Sequence, residues 1–159
     1  MKTQPSNRIA ANAKKVWRIN ASLYMLLPII AAGVVTYFQN AWSIPDYILY
    51  IGWAVLIAAL FIFIWLLPAV RWKRWRYEVF EQEIYIQSGI LIVTQTIVPM
   101  IRVQHVDTEQ GPVLKKFGLA TVSVSTAATT HHIPALALEE ALELRDRIGV
   151  LARVEEDDV

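Results

Sequence analysis

The chain contains no cysteine among its 159 residues. Disulfides and cysteine-ligated metals are thereby excluded, and the composition agrees with a reducing compartment. Net charge is almost absent at +1, so bulk electrostatics implies no nucleic-acid partner. Charge is missing altogether from two long stretches. Ile19 to Pro45 and Tyr47 to Val70 hold no Asp, Glu, Lys, Arg or His, and Asp46 alone stands between them. About 20 apolar residues, at 1.5 Å of helical rise each, cross the ~30 Å hydrocarbon layer of a bilayer. Both stretches meet that length. Neither holds an ionisable residue, which argues against a proton relay or ion pathway within this chain. The sequence also lacks a P-loop, a dinucleotide-binding fingerprint, an H-E-x-x-H pair and a G-x-S-x-G elbow. It offers no cofactor motif and reads as a non-enzyme.

What is present fits a membrane protein. Hydrophobic residues make up 55% of the chain, and the mean hydropathy is +0.39. Lys2, Arg8, Lys14, Lys15 and Arg18 precede the first apolar stretch, and Arg71, Lys73, Arg74 and Arg76 follow the second. The loop from Gln39 to Asp46 has no Lys or Arg. Basic residues near a span stay on the cytoplasmic side. The expected topology is a multi-pass protein of the inner (plasma) membrane with both termini cytoplasmic. The long N-terminal lead and the length of the first stretch predict a retained anchor rather than a cleaved signal peptide.

The spans are expected at about 19–38 and 47–68, within a transmembrane hairpin over 19–70, after a cytoplasmic segment over 1–18. Pro28 lies inside the first span, and Ala31, Ala32 and Gly33 form a small-residue patch open to close helix approach. Ser43 and Asp46 have capping-box spacing, with Pro45 in the expected first turn. Trp17, Tyr37, Phe38, Trp42, Tyr47, Tyr50, Trp65, Trp72 and Trp75 collect at the boundaries as an aromatic belt.

From Tyr77 the pattern has period two. Tyr77 and Val79 alternate with Glu78 and Phe80, Glu81-Gln82 reads as a turn, and Ile84 and Ile86 continue the strand pattern. Ser88-Gly89 reads as a turn, Ile90 to Val98 as a β-branched strand ended by Pro99, and Val103 to Thr108 as another strand. Val113 to Phe117 fits one helical turn stopped by Gly118, and Thr121 to Thr126 alternates again. Ala137, Ala141, Leu144, Ile148 and Leu151 then fall on one helical face. Fold class is α+β: a helical hairpin, then a small bent antiparallel sheet or partial barrel over 71–152 with a C-terminal helix, and an acidic tail over 153–159.

The run from Ile97 to Pro112, followed by Lys115 to Val122 and by Ile133-Pro134-Ala135-Leu136 before the Glu-rich helix, closely resembles the YdbS-type bacterial pleckstrin-homology (PH)-like membrane proteins. The resemblance implies a PH-like fold. It also implies a partner, because family members often occur beside a larger multi-span protein carrying several such domains. Ala127-Ala128-Thr129-Thr130 departs from the glycine-rich hairpin expected there.

The polar candidates are few. His105, Asp107 and Glu109 share one face of an extended strand and form a conceivable metal set. Residues two apart on a strand splay ~7 Å apart, however, so cross-strand pairing is the simpler reading. His131 and His132 read as hairpin residues, and Ser123 and Ser125 have no local base. No metal site is expected. The leading expectation is a membrane-anchored interaction module that contacts a related multi-span membrane protein through Arg102, Gln104, His105, Asp107, Glu109, Lys115, Lys116 and Phe117. The alternatives are an acidic-lipid sensor, with Arg71, Lys73, Arg74 and Arg76 at the headgroups, or an accessory subunit of an export or resistance system. In each reading membrane lipids are partners and nucleic acid is not.

Overall fold

A computed structural model describes residues 5–157. Lys2 of the basic lead and Asp158 of the acidic tail lie outside this range. Contacts divide the chain into two units, residues 17–70 and the remainder.

The first unit is the helical hairpin. Helix α1 (Ala13–Tyr37) begins earlier than expected and runs through Pro28. Helix α2 (Asp46–Phe61) is followed by a π-helical turn at Ile62–Leu66 and then by α3 (Leu67–Arg74). The second span is therefore helical throughout but contains one wide turn, in which the amide of Leu67 reaches back to the carbonyl of Ile62. Both helical segments are long and apolar enough to cross a bilayer. Their side chains are not core side chains: Tyr24 is 79% and Leu27 76% exposed. The expected capping box is absent. Pro45 is the N-cap and no side chain caps the helix, while Ser43 has a positive φ of 51° and Asp46 accepts a hydrogen bond from Gln39 instead. Within this unit the indole of Trp53 donates to Thr36 Oγ1 at 3.0 Å, and the guanidinium of Arg18 lies 4.4 Å from the ring centre of Trp65.

The second unit contains two antiparallel sheets. One has the order β1 (Asn7–Arg8), β2 (Arg76–Val79), β3 (Glu83–Gly89), β4 (Val93–Pro99). The other has the order β5 (Val103–Glu109), β6 (Leu119–Thr126), β7 (Thr130–Ala137). Helix α4 (Pro112–Lys116) joins β5 to β6, and α5 (Leu138–Asp157) packs on the second sheet. Helix α5 continues into what was expected to be a tail from residue 153. Ile84, Met100, Val122, Val124, Ile133, Leu136 and Ile148 are fully buried between these layers. Bent sheets closed by a terminal helix match the expected class.

One strand boundary is corrected. Residues 90–92 are not strand: Gly89 pairs with Val93, so Ile90, Leu91 and Ile92 form the hairpin tip. His131 and His132 lie in β7, the second strand of the β6–β7 hairpin, as expected. The turn without glycine at 127–129 is closed by Thr126, whose Oγ1 donates to the carbonyl of Thr129 at 2.8 Å and accepts from its amide at 3.1 Å. A side-chain turn of this kind replaces the backbone freedom glycine would supply.

The N-terminal segment is part of this unit, which hydropathy alone did not reveal. Asn7 and Arg8 pair with Tyr77 and Arg76, the amide of Ala10 donates to Ala135, and Ile9, Ala13 and Val16 are buried.

One polar clip ties the first sheet to α5. The hydroxyl of Tyr77, 2% exposed, donates to Glu140 Oε1 at 2.5 Å. Burial, then the bond to Glu140 and its charge, push the phenol well above its usual range. The folded state thus holds this proton more tightly than the unfolded chain. Its stabilising contribution is complete below about pH 10 and is lost as pH rises further. Tyr77→Phe should lower stability by about 1–3 kcal/mol and reduce the fall in melting temperature seen between neutral and strongly alkaline buffer. Thermal melts of the detergent-solubilised protein check both outcomes.

Candidate interaction surface

Strand β5 lies at the edge of its sheet because, among the described residues, it pairs with β6 alone. A register shift between Val103 and His105 marks a bulge at Gln104. Bulges bend an edge strand and re-aim its side chains. Beside this edge a groove of about 490 Å³ runs against α5, lined in part by Val103, Gln104, His105, Arg145, Val150 and Arg153. Val150 within the groove is 60% accessible, and Ile101, just before β5, is 54% accessible.

The eight candidate contact residues do not form one patch. Arg102 ends the 3-10 turn Met100–Arg102 at the start of β5, next to Gln104 and His105. Lys115 and Lys116 end α4, beyond the other end of the strand, with Phe117 half-buried behind them. A seven-residue strand separates the two groups by roughly 20 Å. Asp107 and Glu109 lie between.

The metal reading fails on geometry. His105 Nε2 lies 4.0 Å from Asp107 Oδ2, with both side chains mostly exposed, whereas Glu109 turns to a different partner. Among the described residues no group of three or more His, Cys, Asp or Glu side chains converges on a metal-sized site.

That partner is Ser123. The sequence showed no base near this serine, yet pairing of β6 with β7 sets it opposite His132. Its Oγ donates to Glu109 Oε1 at 3.0 Å and lies 2.9 Å from His132 Nδ1. The resemblance to a nucleophile site is superficial. The Ser123 hydroxyl is shared between a carboxylate and an imidazole, and its single proton can serve only one of them at a time. Ser123 is also only 2% exposed. The trio is a polar ladder across the sheet, visible only once strand register is known.

The basic run after α2 is divided between two tasks. Arg71 and Lys73 are exposed. Trp72, by contrast, donates to the carbonyls of Ile9 and Ala10 and carries the ammonium of Lys14 at 4.2 Å from its ring centre. Arg76 donates to the carbonyl of Pro5, and Arg74 to that of Leu91 at 3.1 Å. Arg74 and Arg76, expected at the headgroups, therefore also hold the domain together.

Residues 10–151 match the sequence profile of a family described as Bacterial PH domain. The whole chain is 52% identical, over the full length of both proteins, to UPF0699 transmembrane protein YdbS of Bacillus subtilis. A stretch covering 55% of the chain is 26% identical to 19% of a longer protein of the same organism, UPF0699 transmembrane protein YdbT. No solved structure matches.

Proposed function

This chain belongs to the bacterial PH domain family, and on that premise we propose that it is a membrane-anchored interaction module. Its domain works at the cytoplasmic face and pairs through the β5 edge with a related multi-span membrane protein. The observation that carries this reading is the open, bulged β5 edge beside the α5 groove. An unpaired strand offers a row of backbone donors and acceptors that a second strand completes, while an adjacent groove selects side chains. The partial similarity to a longer transmembrane protein supports a partner that carries a domain of the same kind.

Two observations support the topology. Strand β1 precedes the hairpin and β2 follows it, yet they pair, which favours both flanks on one face of the membrane. Basic residues on both flanks and none in the loop favour that face being cytoplasmic. The near-complete burial of Ser123 supports a non-catalytic domain.

The experiment is co-purification in mild detergent followed by identification of the captured proteins. The expected result is enrichment of a multi-span protein containing a PH-like stretch, reduced about tenfold by combined Arg102→Glu and Lys116→Glu, since reversing exposed interface charges costs of order 1 kcal/mol each. Enrichment of lipid without any such protein would overturn the proposal.

A further inference from the structure

The tip of the β3–β4 hairpin is apolar in a place where water-facing chains are polar. Gly89 and Val93 pair, leaving Ile90, Leu91 and Ile92 as the loop, and Leu91 is 91% and Ile92 82% exposed. Tight turns normally carry Gly, Asn, Asp or Ser, and a run of exposed apolar residues at such a point signals contact with something apolar. The turn is also rigidly specified. Gly89 has a φ of +140°, and a Cβ there would meet the carbonyl oxygen of Ile92 at 1.9 Å.

What covers this tip is indicated by where it is fastened. The carbonyl of Leu91 accepts from Arg74, and Gln87 on the same hairpin donates to the carbonyl of Arg74 at 3.3 Å. Arg74 lies one helical turn beyond Val70, the last residue of the charge-free stretch. Arg71, the first charge after that stretch, lines one groove with Gly89 and Ile90. Arg71, Arg74 and Arg76 lie toward the tip end of β3, whereas Glu81, Glu83 and Arg147 lie together at its opposite end. Apolar side chains at a tip flanked by Arg71 and Arg74 match an anionic leaflet, with phosphates beside the cations and acyl chains beyond them.

We propose that the Ile90–Leu91–Ile92 tip is seated in the interfacial region of the anionic leaflet, as a third membrane attachment beside the two spans. The tip fixes the domain against the membrane and keeps the β5 edge presented in one orientation. This inference does not depend on the identity of any protein partner.

The natural absence of cysteine makes the test direct. Full-length Leu91→Cys and Glu81→Cys variants are labelled with an environment-sensitive fluorophore and reconstituted, with no other protein, in phosphatidylglycerol–phosphatidylethanolamine vesicles. Aqueous iodide and a lipid carrying a nitroxide on its acyl chain are the two quenchers. The expected result is iodide quenching about fivefold weaker at position 91 than at 81, with strong nitroxide quenching at 91 alone. Equal iodide access at both positions would overturn the proposal. Shielding from iodide without nitroxide quenching would also overturn it, because a protein surface would then cover the tip.

Discussion

Alanine at Gly89 should destabilise the domain by about 2–4 kcal/mol, the range for a residue forced into a disfavoured backbone region together with a steric clash. Two causes act together there. A φ of +140° is disfavoured for an L side chain, and the new methyl group would overlap the backbone of Ile92, which cannot rotate away as a long side chain can. Gly118 is the natural comparison: its φ is +63°, but no atom lies within 4 Å of where its Cβ would be. Gly118→Ala should therefore cost only about 1 kcal/mol. Tryptophan-fluorescence melts of the detergent-solubilised protein measure both. A Gly89→Ala variant no less stable than Gly118→Ala would show that the tight Gly89–Val93 closure does not form.

Ile9→Ala should cost about 2–4 kcal/mol, as expected for truncating a buried isoleucine. Ile9 is 2% exposed, directly follows β1, and its carbonyl accepts from the indole of Trp72. A residue so close to the N-terminus would be neutral if the lead were only a basic topology signal. Ile9→Val should cost about 0.5–1.5 kcal/mol, since one methylene is removed and the site is otherwise filled. Melting and limited proteolysis of the solubilised variants check the order. Equal stability of Ile9→Ala and the parent would remove the N-terminal segment from the folded unit.

How much of this was legible in the sequence depends on the range of the interaction. The spans were plain because the bilayer imposes a composition over many consecutive residues, and α5 was plain because Ala141, Leu144 and Ile148 repeat at helical spacing. Strand boundaries near Gly89 were not, since β-branched residues at 90–92 satisfy strand propensity while the hairpin register places them at the tip. The N-terminal strand was hidden for a similar reason. Asn7 and Arg8 carry no alternation, and their partners Arg76 and Tyr77 lie beyond both spans. A signal was present in Ile9, Ala13 and Val16, whose spacing marks an apolar face ahead of the charge-free stretch. At the interaction surface, His105 lies on β5 and Arg102 in the turn just before it, and their separation from Lys115 and Lys116 follows from the length of β5. The Ser123–Glu109–His132 ladder required cross-strand register, which no local pattern encodes.

The pairing of β1 with β2 has a consequence for biogenesis. The first strand leaves the ribosome before the membrane helices, and its mate leaves after them. A chain that left the two strands on opposite sides of a bilayer could not pair them, and the sheet would stay one strand short. Completion of this sheet is thereby tied to where the flanks of the hairpin end up.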